Sequence, residues 1–262
     1  MTKNTDLKTY YEGVYKKGER QHYTQFRLQQ GNMPEEFAAV FALMSWKGKR
    51  VMDMGCGTGD MCGMIAEAGA KRVVGVDYSD QAITEAKSKY TFPNLEFICG
   101  DVKNINDTFD VIISNGTLEH MDSPLATLKM LKGMLSPSGS LILTCPNWLN
   151  PRGYVLQTLW HLFKAPITLA DLHYLTPLDF EEWAKELQMD LDWFTVDHEW
   201  GGGMKMVNDF KKRLPNVARD MGWDIKPEQI DGFLLWLEKR SVPFKGDGKQ
   251  EGAVGVYHLH FR

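Results

Sequence analysis

Gly55, Gly57 and Gly59 alternate with Cys56 and Thr58 in the stretch VMDMGCGTGD (51–60), directly after a short apolar run that ends in Met52-Asp53-Met54. Glycines so placed let a backbone approach a ligand closely, because they carry no side chain and accept positive φ. The loop has no Lys-Ser/Thr at its end, so it is not a P-loop. Its GxGxG spacing also departs from the GxGxxG of the dinucleotide fingerprint. A carboxylate stands downstream where a ribose would need one: Asp77 ends the next apolar run, 22 residues after Gly55. There it can accept hydrogen bonds from both hydroxyls of a ribose lying across a sheet edge.

Asp53 and Asp60 flank the glycines. Acidic residues on both sides suit a cationic ligand better than a pyrophosphate, which they would repel. Gly100-Asp101-Val102 then offers a carboxylate and a backbone N–H to the edge of an adenine. A ligand with adenosine, no phosphate and a positive amino-acid head is S-adenosylmethionine.

Positioning these residues requires alternating strands and helices. KRVMDM (49–54), RVVGVD (72–77), NLEFICGD (94–101), FDVIIS (109–114) and SGSLILTCP (138–146) read as strands, the last entered through a turn at Ser136-Pro137-Ser138-Gly139. Between them, 61–70, 79–90 and 123–135 have helical spacing, with Ser79 as an N-cap and proline in the first turn of the third. Such alternation implies βαβ units and a mainly parallel sheet covered on both faces. Residues 1–46 hold two helical stretches, around TDLKTYYEGVYKK and PEEFAAVFALMSW. Beyond Pro146 come helical pieces at 154–163 and 176–188, a sixth strand at 191–200, two helices within 204–240, and a closing strand at 253–262.

Five ordered blocks, VMDMGCGTGD, VVGVDYS (73–79), CGDV (99–102), FDVIISNGTLEHMDSP (109–124) and LKGMLSPSGSLILTCPN (131–147), resemble the class I S-adenosylmethionine-dependent methyltransferases. The resemblance implies a Rossmann-like α/β fold: a seven-stranded, mostly parallel sheet with its last strand antiparallel and helices on both faces. It divides a single domain into an N-terminal helical cap (1–46), a cofactor-binding core (47–147) and acceptor-side loops with a helical insertion and closing strands (148–262). It places Gly55, Gly57 and Gly59 under the methionine part, with Asp53 supporting the loop or reaching the amino group through water. Asp77 would hold the ribose, Tyr78 would pack beside the adenine, Asp101 and the Val102 backbone would take the adenine edge, and Asn115 would face the methionine end.

Methyl transfer from a sulfonium is an in-line displacement. It needs an aligned nucleophile, exclusion of water, and removal of a proton when the nucleophile is a hydroxyl or an ammonium. Glu119-His120 is the best-placed pair, since a histidine titrates near neutrality. The segment LEHMDSP is similar to one in small-molecule O-methyltransferases, including those of ubiquinone biosynthesis. Some of those carry a metal on a third carboxylate three residues before the glutamate. That position is Gly116 here, so no metal is expected. His173, with Tyr174 and Thr176, matches loosely a pocket-lining segment of the same group, although Thr176 would serve equally as a helix N-cap. Tyr10, Tyr11, Tyr15, His22 and Tyr23 could form a lid or pack in a core. His161, His198, His258 and His260 read as structural, Trp193, Trp200, Trp223 and Trp236 as packing residues, and 199–205 as a flexible hinge.

Composition narrows the partners. With 30 basic and 34 acidic residues and a formal net charge of −4, a nucleic-acid partner is not expected, because such proteins usually carry a basic face. The N-terminal segment has no apolar run after its lysines, no window approaches a membrane span, and Cys56, Cys62, Cys99 and Cys145 form no CxxC pair. The expectation is therefore a cytoplasmic protein with buried thiols and a small-molecule acceptor, methylated on oxygen, with nitrogen as the second choice. A nicotinamide-dependent oxidoreductase would need the GxGxxG spacing that is missing. A non-catalytic S-adenosylmethionine-binding partner protein would bind without turnover.

Overall fold

The computed structural model of the chain describes residues 33–165, 167–168 and 171–261. The expected N-terminal helix around TDLKTYYEGVYKK and the cluster Tyr10, Tyr11, Tyr15, His22 and Tyr23 lie outside the described residues.

The strands are β1 (Arg50–Met54), β2 (Arg72–Asp77), β3 (Leu95–Cys99), β4 (Phe109–Asn115), β5 (Leu135–Pro146), β6 (Asp190–Val196) and β7 (Val254–His260). They form one seven-stranded sheet in the order β3-β2-β1-β4-β5-β7-β6. The pairs among β1 to β5 are parallel, and β7 runs antiparallel between β5 and β6. Strand parity explains how both faces are covered. Val51, Val73, Val111, Ile113 and Ile142 join one apolar cluster, and their chain neighbours Met52, Val74, Ile112, Leu141 and Leu143 join another. Because successive side chains leave a strand on opposite faces, such all-apolar runs must be covered on both sides.

One face is covered by α1 (Glu35–Ala42), α2 (Asp60–Glu67) and α3 (Asp80–Lys89). The other carries α4 (Pro124–Gly133) and α6 (Pro177–Leu187), through Leu128, Leu131, Phe180, Ala184 and Leu187. Each of these buried leucine and phenylalanine side chains contributes roughly 1.5–3 kcal/mol of hydrophobic free energy. Ser79 caps α3 as expected, its hydroxyl oxygen accepting from the Ala82 N–H at 3.2 Å. A separate cluster around Trp148, Leu156, Met206 and Phe210 unites α5 (Pro151–Phe163), α8 (Met204–Asp220) and α9 (Pro227–Trp236) into the expected helical insertion.

Several local expectations change. The turn expected at 136–139 is a widened bulge inside β5: Phe109 pairs with Leu135 and Val111 with Ser140. The sixth strand stops at Val196, and a short helix, α7 (His198–Gly202), replaces its last residues. No flexible hinge follows. Gly201 and Gly202 are buried, and a Cβ on Gly201 would sit 2.2 Å from the Glu251 carbonyl oxygen, so close packing selects the glycine. Trp236 stacks on Phe233 but stays largely exposed, and Cys99 is exposed while the other three thiols are buried.

Candidate functional site

The six strands that run the same way, β1 to β6, present their carboxyl ends at one edge, and the order changes direction between β1 and β4, where open α/β sheets bind ligands. The glycine loop leaves β1 at this point. The N–H groups of Gly55 and Cys56 both donate to the Val76 carbonyl, at 2.8 and 3.1 Å, turning the chain sharply over the end of β2. Gly55 and Gly59 have φ of 75° and 78°, in the left-handed region. Each also meets a protein neighbour: a Cβ on Gly55 would lie 2.3 Å from Thr117 Oγ1, and one on Gly59 would lie 2.5 Å from the Phe97 ring. The loop's own packing therefore requires these two, a constraint the close-approach argument did not foresee.

Asp77 ends β2 with both oxygens partly used, Oδ2 accepting from the Gly57 N–H at 2.9 Å and Oδ1 from the Ser79 N–H at 2.8 Å. Each carboxylate oxygen has a second lone pair, so two hydroxyl donors can still be accommodated. Burial raises the Asp77 pKa, and the backbone donors partly oppose that rise. Burial, and after it the Asp101 carboxylate, raise the Tyr78 hydroxyl pKa, and Asp101 accepts from the Lys103 N–H at 2.9 Å. Val102 is buried beside them.

Asp53 and Asn115 lie on neighbouring strands, Asp53 pairing with Ile113 two residues before Asn115. Asp53 is 2% exposed; its Oδ2 accepts from the Cys62 thiol at 3.5 Å, and its Oδ1 has no partner among the described residues. Burial pushes its carboxyl up to about 7. Asn115 Nδ2 is likewise buried without an acceptor. Unsatisfied buried polar groups are costly, and an amino-acid head group carries both complements, an ammonium for Asp53 and a carboxylate for Asn115. Asp60 behaves differently. It is held by Lys89, by the Tyr90 hydroxyl at 2.7 Å and by the Thr58 hydroxyl at 2.7 Å. Its charge is thus neutralised within the protein and does not favour a cationic ligand as expected.

Beyond β4, Gly116 takes a φ of 55° and the chain enters a 3₁₀ turn, Leu118–His120. The Glu119 carbonyl accepts from the N–H groups of Leu172 and His173 at 3.0 and 3.1 Å, pinning the loop before α6 onto this turn. His173 Nε2 faces the Met121 carbonyl oxygen at 2.9 Å. The pinning brings in Asp171, whose Oδ1 lies 3.5 Å from His120 Nδ1. Glu119 is buried with Oε2 unpartnered among the described residues, and burial raises its carboxyl to about 7. Asp171 is raised too, by burial, with His120 opposing. One ligand atom each from Glu119, His120 and Asp171 lies within 4.8 Å of the others, close enough to share a cation.

Asp171 was not singled out in the sequence, although it stands two residues before His173. An acid two residues from a histidine is too common a signal to select it. Thr176 is an N-cap: its N–H donates to Asp179 Oδ2 at 2.7 Å in a capping box that starts α6. Tyr174 packs edge-on against Trp148 and Trp160 at 5.2 and 5.5 Å.

A family model described as a methyltransferase domain matches residues 45–199. The chain belongs to this methyltransferase family. The ubiquinone biosynthesis O-methyltransferase of Neisseria meningitidis is 29% identical over 116 residues, covering 42% of this chain and 48% of that protein. A probable protein arginine N-methyltransferase 6 of Arabidopsis thaliana is 37% identical over 139 residues, covering 51% of this chain and 29% of its own. The chain thus spans about half or less of these relatives. An S-adenosylmethionine-dependent methyltransferase from Mesorhizobium loti shares the fold, with a TM-score of 0.55 at 14% identity over 86% of this chain and 97% of that one.

Proposed function

We propose that this member of the methyltransferase-domain family transfers the methyl group of S-adenosylmethionine to a hydroxyl of a small-molecule acceptor. The observation that carries the reading is the meeting, at one sheet edge, of two complementary sets. The glycine loop, Asp53, Asp77 and Asn115 can hold an amino-acid nucleoside, and Glu119, His120 and Asp171 stand beyond β4 as a proton-accepting group.

When bound, S-adenosylmethionine supplies an activated methyl group on a sulfonium, so the protein need only position and deprotonate. Asp77 receives the ribose hydroxyls, and Gly57 both bonds Asp77 and keeps the loop low. Asp53 accepts the ammonium, and Asn115 donates to the carboxylate. Tyr78, Asp101 and Val102 border the adenine. His120 takes the acceptor's proton, and Asp171 orients its ring through Nδ1. Glu119 braces the turn through its carbonyl, and His173 ties the same loop to Met121.

No metal enters this reading, because the histidine already supplies the base. The acceptor is small, the net charge of −4 disfavours nucleic acid, and cytoplasmic residence is part of the proposal. No described helix is long and apolar enough to cross a membrane. Methylation of an amine nitrogen is the second reading, supported by the N-methyltransferase relative. The test is incubation of the protein with metabolite extracts and methyl-labelled cofactor, followed by mass spectrometry of labelled products. A labelled small molecule bearing a new methoxy group is expected. Cofactor binding without any labelled product would instead indicate a non-catalytic S-adenosylmethionine-binding protein.

A further inference from the structure

The helical insertion buries two arginines against one carboxylate. Arg152 Nε donates to Asp209 Oδ2 at 3.0 Å, and Arg213 donates to both Asp209 oxygens, Nε at 3.1 Å and Nη2 at 3.0 Å. Exposures of 7% for Arg152, 8% for Asp209 and 2% for Arg213 make this a buried cluster. Arg213 also donates Nη1 to the Ile167 carbonyl at 2.5 Å. Arg152 is served less completely. Its guanidinium lies 4.7 Å from the centre of the Trp200 ring, and Nη1 and Nη2 take no hydrogen bond among the described residues. The cluster holds two positive charges, one negative charge and a spare fork of donors.

Arg152 is also set in a rigid place. β5 ends at Pro146 on the ligand edge of the sheet. The buried Asn147 and Asn150 then tie the next turn to the Gly252 carbonyl, at 2.7 and 2.9 Å. Asn150 Oδ1 accepts from the Gly153 N–H at 2.8 Å, starting α5. At Gly153 a Cβ would lie 2.1 Å from the Trp148 carbonyl oxygen, so this turn tolerates no other residue. Arg152 therefore leaves the backbone at the same sheet edge as Asp53, Asp77 and Asn115. Both arginines act electrostatically on Asp171, the partner of His120. The Nη edge of Arg152 is a planar fork that matches an oxyanion bidentately.

We propose that Arg152 anchors an oxyanion of the methyl acceptor, a carboxylate or a phosphate monoester, with Asp209 and Arg213 holding its guanidinium in place. Only the assignment of that oxyanion to the acceptor rests on the methyl-transfer reading. The acceptor then carries a hydroxyl at His120 and an anionic group at Arg152, and neutral analogues bind poorly. Arg213 reaches both Asp209 oxygens and Arg152 uses only Nε there, which leaves the Nη edge of Arg152 for the ligand.

The test is calorimetric titration of the full chain, saturated with S-adenosylhomocysteine, using benzoate, inorganic phosphate and neutral benzamide as probes. Wild-type protein binds benzoate or phosphate at one site per chain and does not bind benzamide; whichever anion binds identifies the oxyanion class. Arg152→Gln weakens that binding by about tenfold or more, as expected for a lost charge-assisted pair, and leaves S-adenosylhomocysteine affinity unchanged. Equal anion affinity in Arg152→Gln, or no binding of either anion to wild type, overturns the proposal. If Arg152→Gln loses its cooperative melt, Arg152→Lys decides, since it keeps the charge beside Asp209 but not the fork; undiminished anion affinity in it overturns the proposal. Failure of the methyl-transfer reading shows itself elsewhere, as absent S-adenosylhomocysteine binding with anion binding intact.

Discussion

Two stretches of chain meet at one sheet edge and build their halves of the site by different means. Between Asp53 and Asn115 every proposed cofactor-binding group stands at a strand end or in the loop directly after it, held largely by backbone contacts such as Gly57 N–H to Asp77. Between Gly116 and Phe244 groups from distant segments meet instead: Arg152 and Asp209 are 57 residues apart, and His173 reaches the Met121 carbonyl across 52. The first half reuses sheet geometry that any sequence of this class must supply, so it can recognise a constant ligand. The second half depends on how one set of helices packs, which suits a ligand that differs between relatives.

If that contrast is right, damage to the first half should remove cofactor binding, and damage to the second should spare it. Gly57→Val carries the largest expected effect: S-adenosylhomocysteine binding falls below calorimetric detection while the cooperative melt persists. Bound cofactor in that variant would contradict the close-approach role. His120→Ala should lower turnover by ~10²–10⁴, the range of general-base losses, with S-adenosylhomocysteine affinity unchanged. Asp171→Asn should move turnover the same way by less. Activity within a few-fold of wild type in His120→Ala would return that histidine to a structural role.

Smaller effects sharpen the first half. Asp77→Ala should weaken S-adenosylhomocysteine binding by ~1.5–3 kcal/mol, as for hydrogen bonds to a charged group; an unchanged dissociation constant would sink the ribose assignment. Asp53 makes binding depend on pH. Its carboxyl titrates near 7 because it is buried, and an ammonium requires the ionised form. Binding then releases a proton, so affinity should rise by up to about tenfold per pH unit below 7 and level off above it. Asp53→Asn should flatten that slope; a slope that survives would assign the proton to another group. The smallest expected effect is on the second half: adding EDTA should leave turnover unchanged, and a loss restored by a divalent cation would make Glu119, His120 and Asp171 ligands.

The legibility of the two halves differs for the same reason. Asp77 could be read because strand ends and glycine loops are local signals, and the apolar runs around them are unambiguous. The neutralisation of Asp60 is not legible, since nothing local reveals that Lys89 and Tyr90 hold it. The run at 199–205 looked loose because its glycines gave no hint that Glu251 presses against Gly201. Arg152 and Asp171 carried no motif at all.

The sequence by itself determined the α/β alternation, the parallel core, the carboxylate at the end of β2 and the family, because strand and helix periods and turn glycines act over a few residues. Only the tertiary structure decided that Asp171 meets His120, that His173 is spent on Met121, and that Arg152 keeps an unpaired edge. Those contacts follow from loops docking across 50 or more residues, where the free energy depends on packing and burial rather than on any spacing along the chain.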